Sequence, residues 1–550
     1  MMLSERDTVP ASGTAGAVPE VLFVHVPKRS GWYKPLDEMM SINYIPMGVF
    51  GLCDLVNKNG ITAKIRHLGL ELILGTGFSV VEYVRTNHIR VVAISLHWHY
   101  QAYDVIETAR RIKSASPETV IVLGGFTASI FSREILVSYE WVDCIIAGDG
   151  ERGMVELARV VCRDRGGYDA VANCVFRKNG EIIDNGISSL TDVNALADID
   201  FANLSYLEHY TEYRDYFKLP MLWSINATVK ENRRRQVGGA ASVFPLMTGR
   251  GCNFDCSFCG GGARAQKKIC NREKAAFLPV AKVADTIEQA VGFGYESFLV
   301  CFDPDPSDSG YYRELFGEIR RRGIRCGMGF ESWGLPDDPF IAAFAETFIR
   351  EKSYIALSPE SASEEIRQRN KGYFYTNDEL FAVMELTAEF RIPVLIYLTT
   401  GLPGEMRKHL EMNRIFARRL RRNYAHLVSV IMVPVQLEPP SPMYETPEEF
   451  NITTFRKRFA DFYEHHRRTD SNPFTHLGYL SHAYRDINGD TAAFDALVKD
   501  ERCRNYCSIP VKLFGRWNIP WLSRLLCTMM HRRWLRKGFG RPTMERQTFR

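Results

Sequence analysis

Twice along this chain, short apolar runs alternate with amphipathic stretches, and polar or glycine-rich turns follow the runs. In the first stretch the runs are VLFVHV (21–26), ITAKIRHL (61–68), VVAISL (91–96), TVIVLGG (119–125) and VDCIIAGDGE (142–151). Between them lie helical patterns such as IPMGVFGLCDLVNKNG (45–60), closed by Gly60, and AYDVIETARRIKSASP (102–117), which stops at Pro117. Unbroken apolar strands separated by helices predict a parallel sheet covered on both faces. Ligands of such a sheet sit beyond the carboxyl ends of its strands, which here carry SLHWHY, GGFTAS and GDGERG.

The alternation resumes at residue 243. Strand candidates are VFPLMT (243–248), SFLVCFD (297–303), RCGMGF (325–330), SYIALSPE (353–360), PVLIYLTTG (393–401) and LVSVIMVP (427–434). Helical patterns such as VAKVADTIEQAVGFG (280–294) and DELFAVMELTAEFR (378–391) separate them. Six such repeats predict a partial (βα)6 barrel with its chemistry at the strand C-termini. The fold class is therefore α/β: an N-terminal Rossmann-like domain, a partial barrel and a mainly helical C-terminal region. Expected boundaries are a disordered tail at 1–19, the first domain at 20–165, a connector at 166–240, the barrel at 241–435 and a C-terminal cover or substrate region at 436–550. The connector holds a hairpin around Asn179-Gly180.

The chain has 550 residues, 45% of them hydrophobic, and a formal net charge of +4. That charge is small for the length and gives no argument for a nucleic-acid partner. The N-terminal residues lack an apolar signal core, and no apolar run is long enough to span a bilayer. The expectation is a cytoplasmic protein in which thirteen scattered cysteines are reduced. The basic stretch Arg532, Arg533, Trp534, Arg536 and Lys537 reads as a solvated helix face. Cys503 and Cys507 read as two leftover thiols.

GRGCNFDCSFCGGG (249–262) follows the first barrel strand and places Cys252, Cys256 and Cys259 within eight positions. Thiolates are soft ligands that favour zinc, copper(I) or iron–sulfur clusters. A structural zinc site wants four protein ligands, and no second cysteine pair stands nearby. Three thiolates can hold three irons of a [4Fe–4S] cluster and leave the fourth open. Zinc, or three reduced thiols in a loop, is the alternative. Glycines let the backbone wrap such a group closely.

CNFDCSFC resembles the CxxxCxxC signature of radical S-adenosylmethionine (SAM) enzymes, with Phe258 before the last cysteine. CFDPDP (301–306), LSPESASEEIRQRNKG (357–372) and TTGLPGE (399–405) resemble the barrel segments that surround SAM in that family. The resemblance implies a [4Fe–4S] cluster on the three cysteines and SAM chelated at the open iron. It implies SAM contacts from Phe258, Gly260, Asp303, Glu360, Ser361, Gly401, Leu402 and Pro403. It also implies an external electron donor of flavodoxin or ferredoxin type.

The first domain resembles the cobalamin-binding domain of one large branch of these enzymes. The resemblance implies cobalamin (methylcobalamin) contacts from Ser95, Leu96, His97, Gly124, Gly125, Phe126, Gly148, Asp149, Gly150 and Glu151. A DxHxxG motif that would place a histidine on cobalt is missing, and His25 has no Asp two residues before it. His97 and His99 follow a strand end, with packing as their alternative role. The two cofactors together imply methylation of a carbon, or less often phosphorus, in a small molecule or peptide. Ring closure without net methylation, and polar methyl transfer as in tryptophan methylation, are the alternatives. In the polar variant Glu273 approaches the open iron; its alternative is a surface acid.

Overall fold

The computed structural model describes residues 18–28, 44–216, 218–220, 240–300, 309–425, 427–468 and 482–484. The expected tail, Asp303, Cys503, Cys507 and the basic C-terminal stretch lie outside the described residues.

The first sheet contains β1 (Val21–His25), β2 (Ala63–His67), β3 (Val91–Ser95), β4 (Val120–Gly124) and β5 (Cys144–Ile146). These run parallel in the order β2-β1-β3-β4-β5. The chain reverses its direction of winding between β1 and β3, and that opens a crevice at the strands' carboxyl ends. The hairpin β6 (Cys174–Lys178) and β7 (Glu181–Asp184) adds antiparallel to β5 and so extends this sheet. Its turn has Asn179 and Gly180 both at positive φ (52° and 83°), as a two-residue hairpin turn requires.

Each strand face is apolar because each is covered. The helix Ala102–Ala115 buries Val105, Ile106, Ala109 and Ile112 against Leu22, Val24, Val92 and Ile94. The helices Met47–Lys58 and Glu151–Arg163 cover the other face with Cys53, Val56, Leu157 and Ala158.

The second sheet contains β8 (Lys218–Pro220), β9 (Ala240–Pro245), β12 (Ser297–Val300), β13 (Gly327–Ser332), β14 (Tyr354–Glu360), β15 (Val394–Thr400) and β16 (Val428–Pro434). A small ladder of β10 (Gly249–Arg250) and β11 (Ala276–Phe277) stands beside it. The sheet order is β16-β15-β14-β13-β12-β9-β8. β9 and β12 to β16 are parallel, and β8 runs antiparallel at the edge. This is the expected partial (βα)6 barrel. Its first strand begins and ends earlier than the 243–248 reading; Leu246 still donates to the Leu299 carbonyl, and Thr248 turns to Tyr312. The apolar core runs without a break from Phe23 and Cys53 of the first domain to Phe298 and Phe330 of the barrel.

Candidate cofactor sites

The cysteine loop leaves the β10–β11 ladder and ends at the helix Ala263–Cys270. Gly251 has φ 89°, and a side chain there would meet Arg272 Cδ at 2.7 Å, so only glycine turns the chain into the loop. Each sulfur accepts a backbone N–H. Phe254 donates to Cys252 at 3.4 Å, Gly372 to Cys256 at 3.2 Å and Gly261 to Cys259 at 3.3 Å. Such donors stabilise the negative sulfur of a ligated thiolate and tune cluster potential. Burial raises the Cys256 thiol and pushes Cys259 up to about 12, with Cys252 and Cys256 each adding to the push on Cys259. Cys256 and Cys259 hold their protons at neutral pH, so their thiolates form with metal binding. Among the described residues no three His, Cys, Asp or Glu side chains close around a single metal ion. Three nearby thiols, each with its own N–H donor, fit a spread multi-iron cluster better than one zinc.

Segments distant in sequence fix the loop. Asn370 accepts from Ser257 Oγ at 2.7 Å and donates to the carbonyls of Ile366 and Pro403 at 3.0 and 2.9 Å. Ser257 N also donates to the Asn370 carbonyl. One buried amide thus ties the cysteine loop to the ends of β14 and β15. Asn370→Ala strands these partners and lowers the unfolding free energy by about 2–4 kcal/mol; a denaturant melt of the metal-free protein checks this. Phe258 packs against Ile366, Leu402 and Val435 on one side and Leu437 and Met443 on the other. A side chain at Gly260 would lie 2.7 Å from the Pro439 carbonyl oxygen and 3.0 Å from Glu438 Cβ. Gly260 therefore lets the post-β16 segment press on the loop.

Glu360 ends β14 after a bulge and sits at φ 63°, a costly conformation for a non-glycine residue and one that gathers at functional sites. Its carboxylate accepts from Thr399 Oγ1 and lies 3.9 Å from Lys371 Nζ. Burial raises its pKa, against the pull of Lys371. Ser361 is wholly buried and its hydroxyl accepts from Ser363 N, so it braces the turn. The buried Arg367 donates to the carbonyls of Pro359, Ser361 and Tyr375 and locks the same turn.

After β15, Gly401 and Gly404 take positive φ (87° and 82°) and Leu402 is fully buried. Glu405 closes this turn: its carboxylate accepts from Gly401 N at 2.6 Å, Leu402 N at 3.3 Å and Asn413 Nδ2 at 3.2 Å. Burial pushes its pKa up to about 8, while these three donors pull it down. With three donors around it, the geometry fits the ionised form. Glu405→Gln sets one amide against another at Asn413, whose own oxygen already accepts from Ala362 N. The expected loss is about 1–3 kcal/mol in a urea melt.

At the first sheet's carboxyl edge, Ser95 is in register with Gly124. Leu96 is wholly buried, and its backbone N–H and carbonyl bond Gly124 and Ala128. A side chain at Gly125 (φ 102°) would lie 3.0 Å from His97 Cα, so β3 and β4 end in backbone contact. His97 packs against Trp98 and Phe126, and burial pulls its pKa down to about 4, leaving a neutral ring. His99 instead meets Glu438 (Nε2–Oε2, 3.2 Å) and His466 (Nδ1–Nε2, 3.2 Å). His25 is buried against His67. Gly124 differs from Gly125: a side chain there meets only the Ile146 oxygen, at 3.7 Å. Its open face leaves a cradle at the sheet edge that fits the tail of a corrinoid.

The GDGE turn faces the other domain. Gly148 (φ 68°) approaches Ile269 O and Cys270 Cα so closely that a side chain would stand 2.8 and 3.3 Å from them. Asp149 meets Arg272 at 2.6 Å and Arg250 at 3.4 Å, and Glu151 meets Arg250 at 2.5 Å. Burial pushes the Glu151 pKa up, but Arg250 and Thr191 together bring it below the usual value. Gly150 caps the helix Glu151–Arg163 and leans on Leu52. The side chains of Asp149 and Glu151 are thus turned to arginines that flank the cysteine loop. Glu273 is exposed and pairs with Lys267 at 3.0 Å. The roles of Asn370, Arg250 and Arg272 were not read from the sequence. Arg250 between Gly249 and Gly251 was the one local signal, and Asn370 in NKG and Arg272 in NRE carried none.

Family models match both halves of this arrangement. The model described as the radical SAM superfamily matches residues 246–414, and that of the B12 binding domain matches 43–158. The anaerobic magnesium-protoporphyrin IX monomethyl ester cyclase of Rubrivivax gelatinosus is 27% identical over 240 residues, covering 42% of this chain and 36% of that protein. The hopanoid C-3 methylase of Methylococcus capsulatus is 28% identical over 170 residues, covering 31% of this chain and 27% of that protein. The chain thus matches only 27–36% of the length of these curated relatives. In fold it is similar to the radical SAM methyltransferase TsrM of Kitasatospora setae, solved with cobalamin and a [4Fe-4S] cluster bound. The TM-score is 0.57 at 14% identity, with 80% of each chain covered. Among the described residues no helix is long and apolar enough to cross a membrane. With a cysteine loop suited to a [4Fe–4S] cluster and SAM, and a glycine-edged sheet suited to cobalamin, the chain carries a radical SAM domain preceded by a B12-binding domain.

Proposed function

We propose that the protein transfers a methyl group to a carbon, or less readily a phosphorus, centre of a small molecule or peptide in the cytoplasm. The observation that carries this reading is the approach of the two sites: Gly148 at the corrinoid edge touches the helix that follows Cys259. When bound, the cluster and SAM supply one-electron cleavage chemistry and cobalamin supplies a methyl carrier. The chain's own residues bind and orient. Cys252, Cys256 and Cys259 hold iron, and Phe258 and Gly260 seat the loop under the segment after β16. Glu360 and the turn Gly401 to Pro403 shape the SAM pocket, with Ser361 bracing it from behind. Gly124 and Gly125 give room for the corrinoid tail, and Ser95, His97 and Phe126 line its rim. Asp303 is assigned to the SAM side from the sequence alone. The segment carrying Glu438 covers the barrel mouth and excludes water from it. An external flavodoxin- or ferredoxin-type protein supplies electrons.

The hopanoid methylase relative favours methylation of an unactivated carbon. The cyclase relative favours a second reading, ring closure without net methyl gain. Reconstituted protein given SAM with a trideuterated methyl group, a reductant and candidate substrates separates them. A product heavier by one labelled methyl supports the first reading, and a product that loses hydrogen without label supports the second.

A further inference from the structure

We propose that Asp149, Glu151, Arg250 and Arg272 form a strut that sets the separation between cluster and cobalamin, and that they are positioning residues with no direct contact to the corrinoid. Arg272 passes over Gly251, the residue before Cys252, with its Cδ 2.7 Å from where a Gly251 side chain would begin. Its guanidinium then reaches Asp149 at 2.6 Å, directly after β5, and the carbonyl of Thr191 at 3.3 Å. Arg250, on the other flank of the loop, bridges Asp149 and Glu151. Thr191 completes the unit, donating from its N–H to Asp149 and from its hydroxyl to Glu151, both at 2.9 Å.

Asp149, Glu151 and Arg272 are each exposed by less than a tenth (8%, 9% and 5%), so solvent does little to weaken these pairs. Both carboxylates spend their oxygens on the arginines and Thr191. Guanidinium forks are directional, and a two-carboxylate, two-guanidinium set fixes orientation as well as distance. The strut ties a cluster ligand's neighbour to the corrinoid edge through side chains alone. Gly148 against Ile269 adds a backbone stop beside it.

This inference rests on both cofactors being bound and is independent of what the substrate is. The test is a pulsed dipolar measurement between the reduced cluster and cob(II)alamin in the full chain, with iron and cobalamin contents measured on the same samples. The native protein gives one narrow distance distribution. Asp149→Asn/Arg272→Gln removes both buried charges together, which avoids stranding either; it retains cobalamin, and its distribution is at least twofold broader. Arg272→Lys keeps the charge without the fork and gives an intermediate width; it carries the comparison alone if the double variant does not hold both cofactors. Formation of 5′-deoxyadenosine per cluster stays within about twofold, because the SAM pocket is untouched. Equal widths in native and variant proteins overturn the proposal. So does a fold-change loss of cobalamin at unchanged width, which assigns Asp149 to the corrinoid itself.

Discussion

Cys256→Ala protein purifies folded but without a complete cluster, and its reductive cleavage of SAM falls to background; iron content and 5′-deoxyadenosine yield are the measurements. The same holds for Cys252 and Cys259, because two thiolates cannot hold a cubane by three corners. A sharper version leaves all three cysteines in place. Gly372 donates its N–H to Cys256, and a side chain at Gly372 would stand 2.6 Å from Phe254 Cβ. Gly372→Ala therefore pushes the post-β14 segment off the loop and removes one N–H from the sulfur. Losses of outer-shell partners at metal sites cost about 10–100-fold in affinity or activity. The expected protein loses iron that much faster to a chelator, while Gly292→Ala, at the end of the helix Val280–Gly292 with nothing within 4 Å of the added carbon, leaves chelation unchanged. Equal chelation rates for Gly372→Ala and native protein would refute the role given to this donor.

Gly124→Val is the second large effect. Its first carbon meets nothing in the fold closer than 3.7 Å, so the unfolding midpoint stays near the native value. The added methyls project into the open face at the end of β4. Overpacking of that kind costs about 1–3 kcal/mol, which is about a 5- to 150-fold loss of cobalamin affinity. Titration of the metal-free protein with cobalamin, followed by corrin absorption, reads the change. Gly125→Val is the counterpart: φ 102° and a contact of 3.0 Å with His97 Cα make it a folding defect. Unchanged cobalamin affinity in Gly124→Val would remove the tail from this end of the sheet.

The elements that locate both sites were legible because they are local. An apolar run of five to seven residues, bounded by glycine or proline, marks a parallel strand. Of the first-sheet runs, 21–26 and 91–96 each exceed their strand by one residue. The helix Ala102–Ala115 ends two residues before Pro117, where the pattern stops. The cysteine spacing was legible for the same reason, being a loop read in order. Pairings across long sequence distances left no such trace. Asp149 and Glu151 follow a strand with glycines around them, which looks the same whether the acids face a ligand or another domain. Their arginine partners lie about a hundred residues away, 99 in the case of Glu151 and Arg250. Asn370 reads as an ordinary polar helix end until Ser257 and Pro403 are brought to it. Glu405 stood in a glycine-rich turn that was read as a pocket wall; its three donors make it the turn's internal brace.

The N–H that Cys256 receives comes from a residue 116 positions further along the chain. A ribosome must therefore release β14 and its following turn before the sulfur has its donor. Before that point the cysteine loop lacks the donor that the folded site gives to Cys256. A transplanted octapeptide CNFDCSFC lacks the Gly372 donor and therefore cannot reproduce the site.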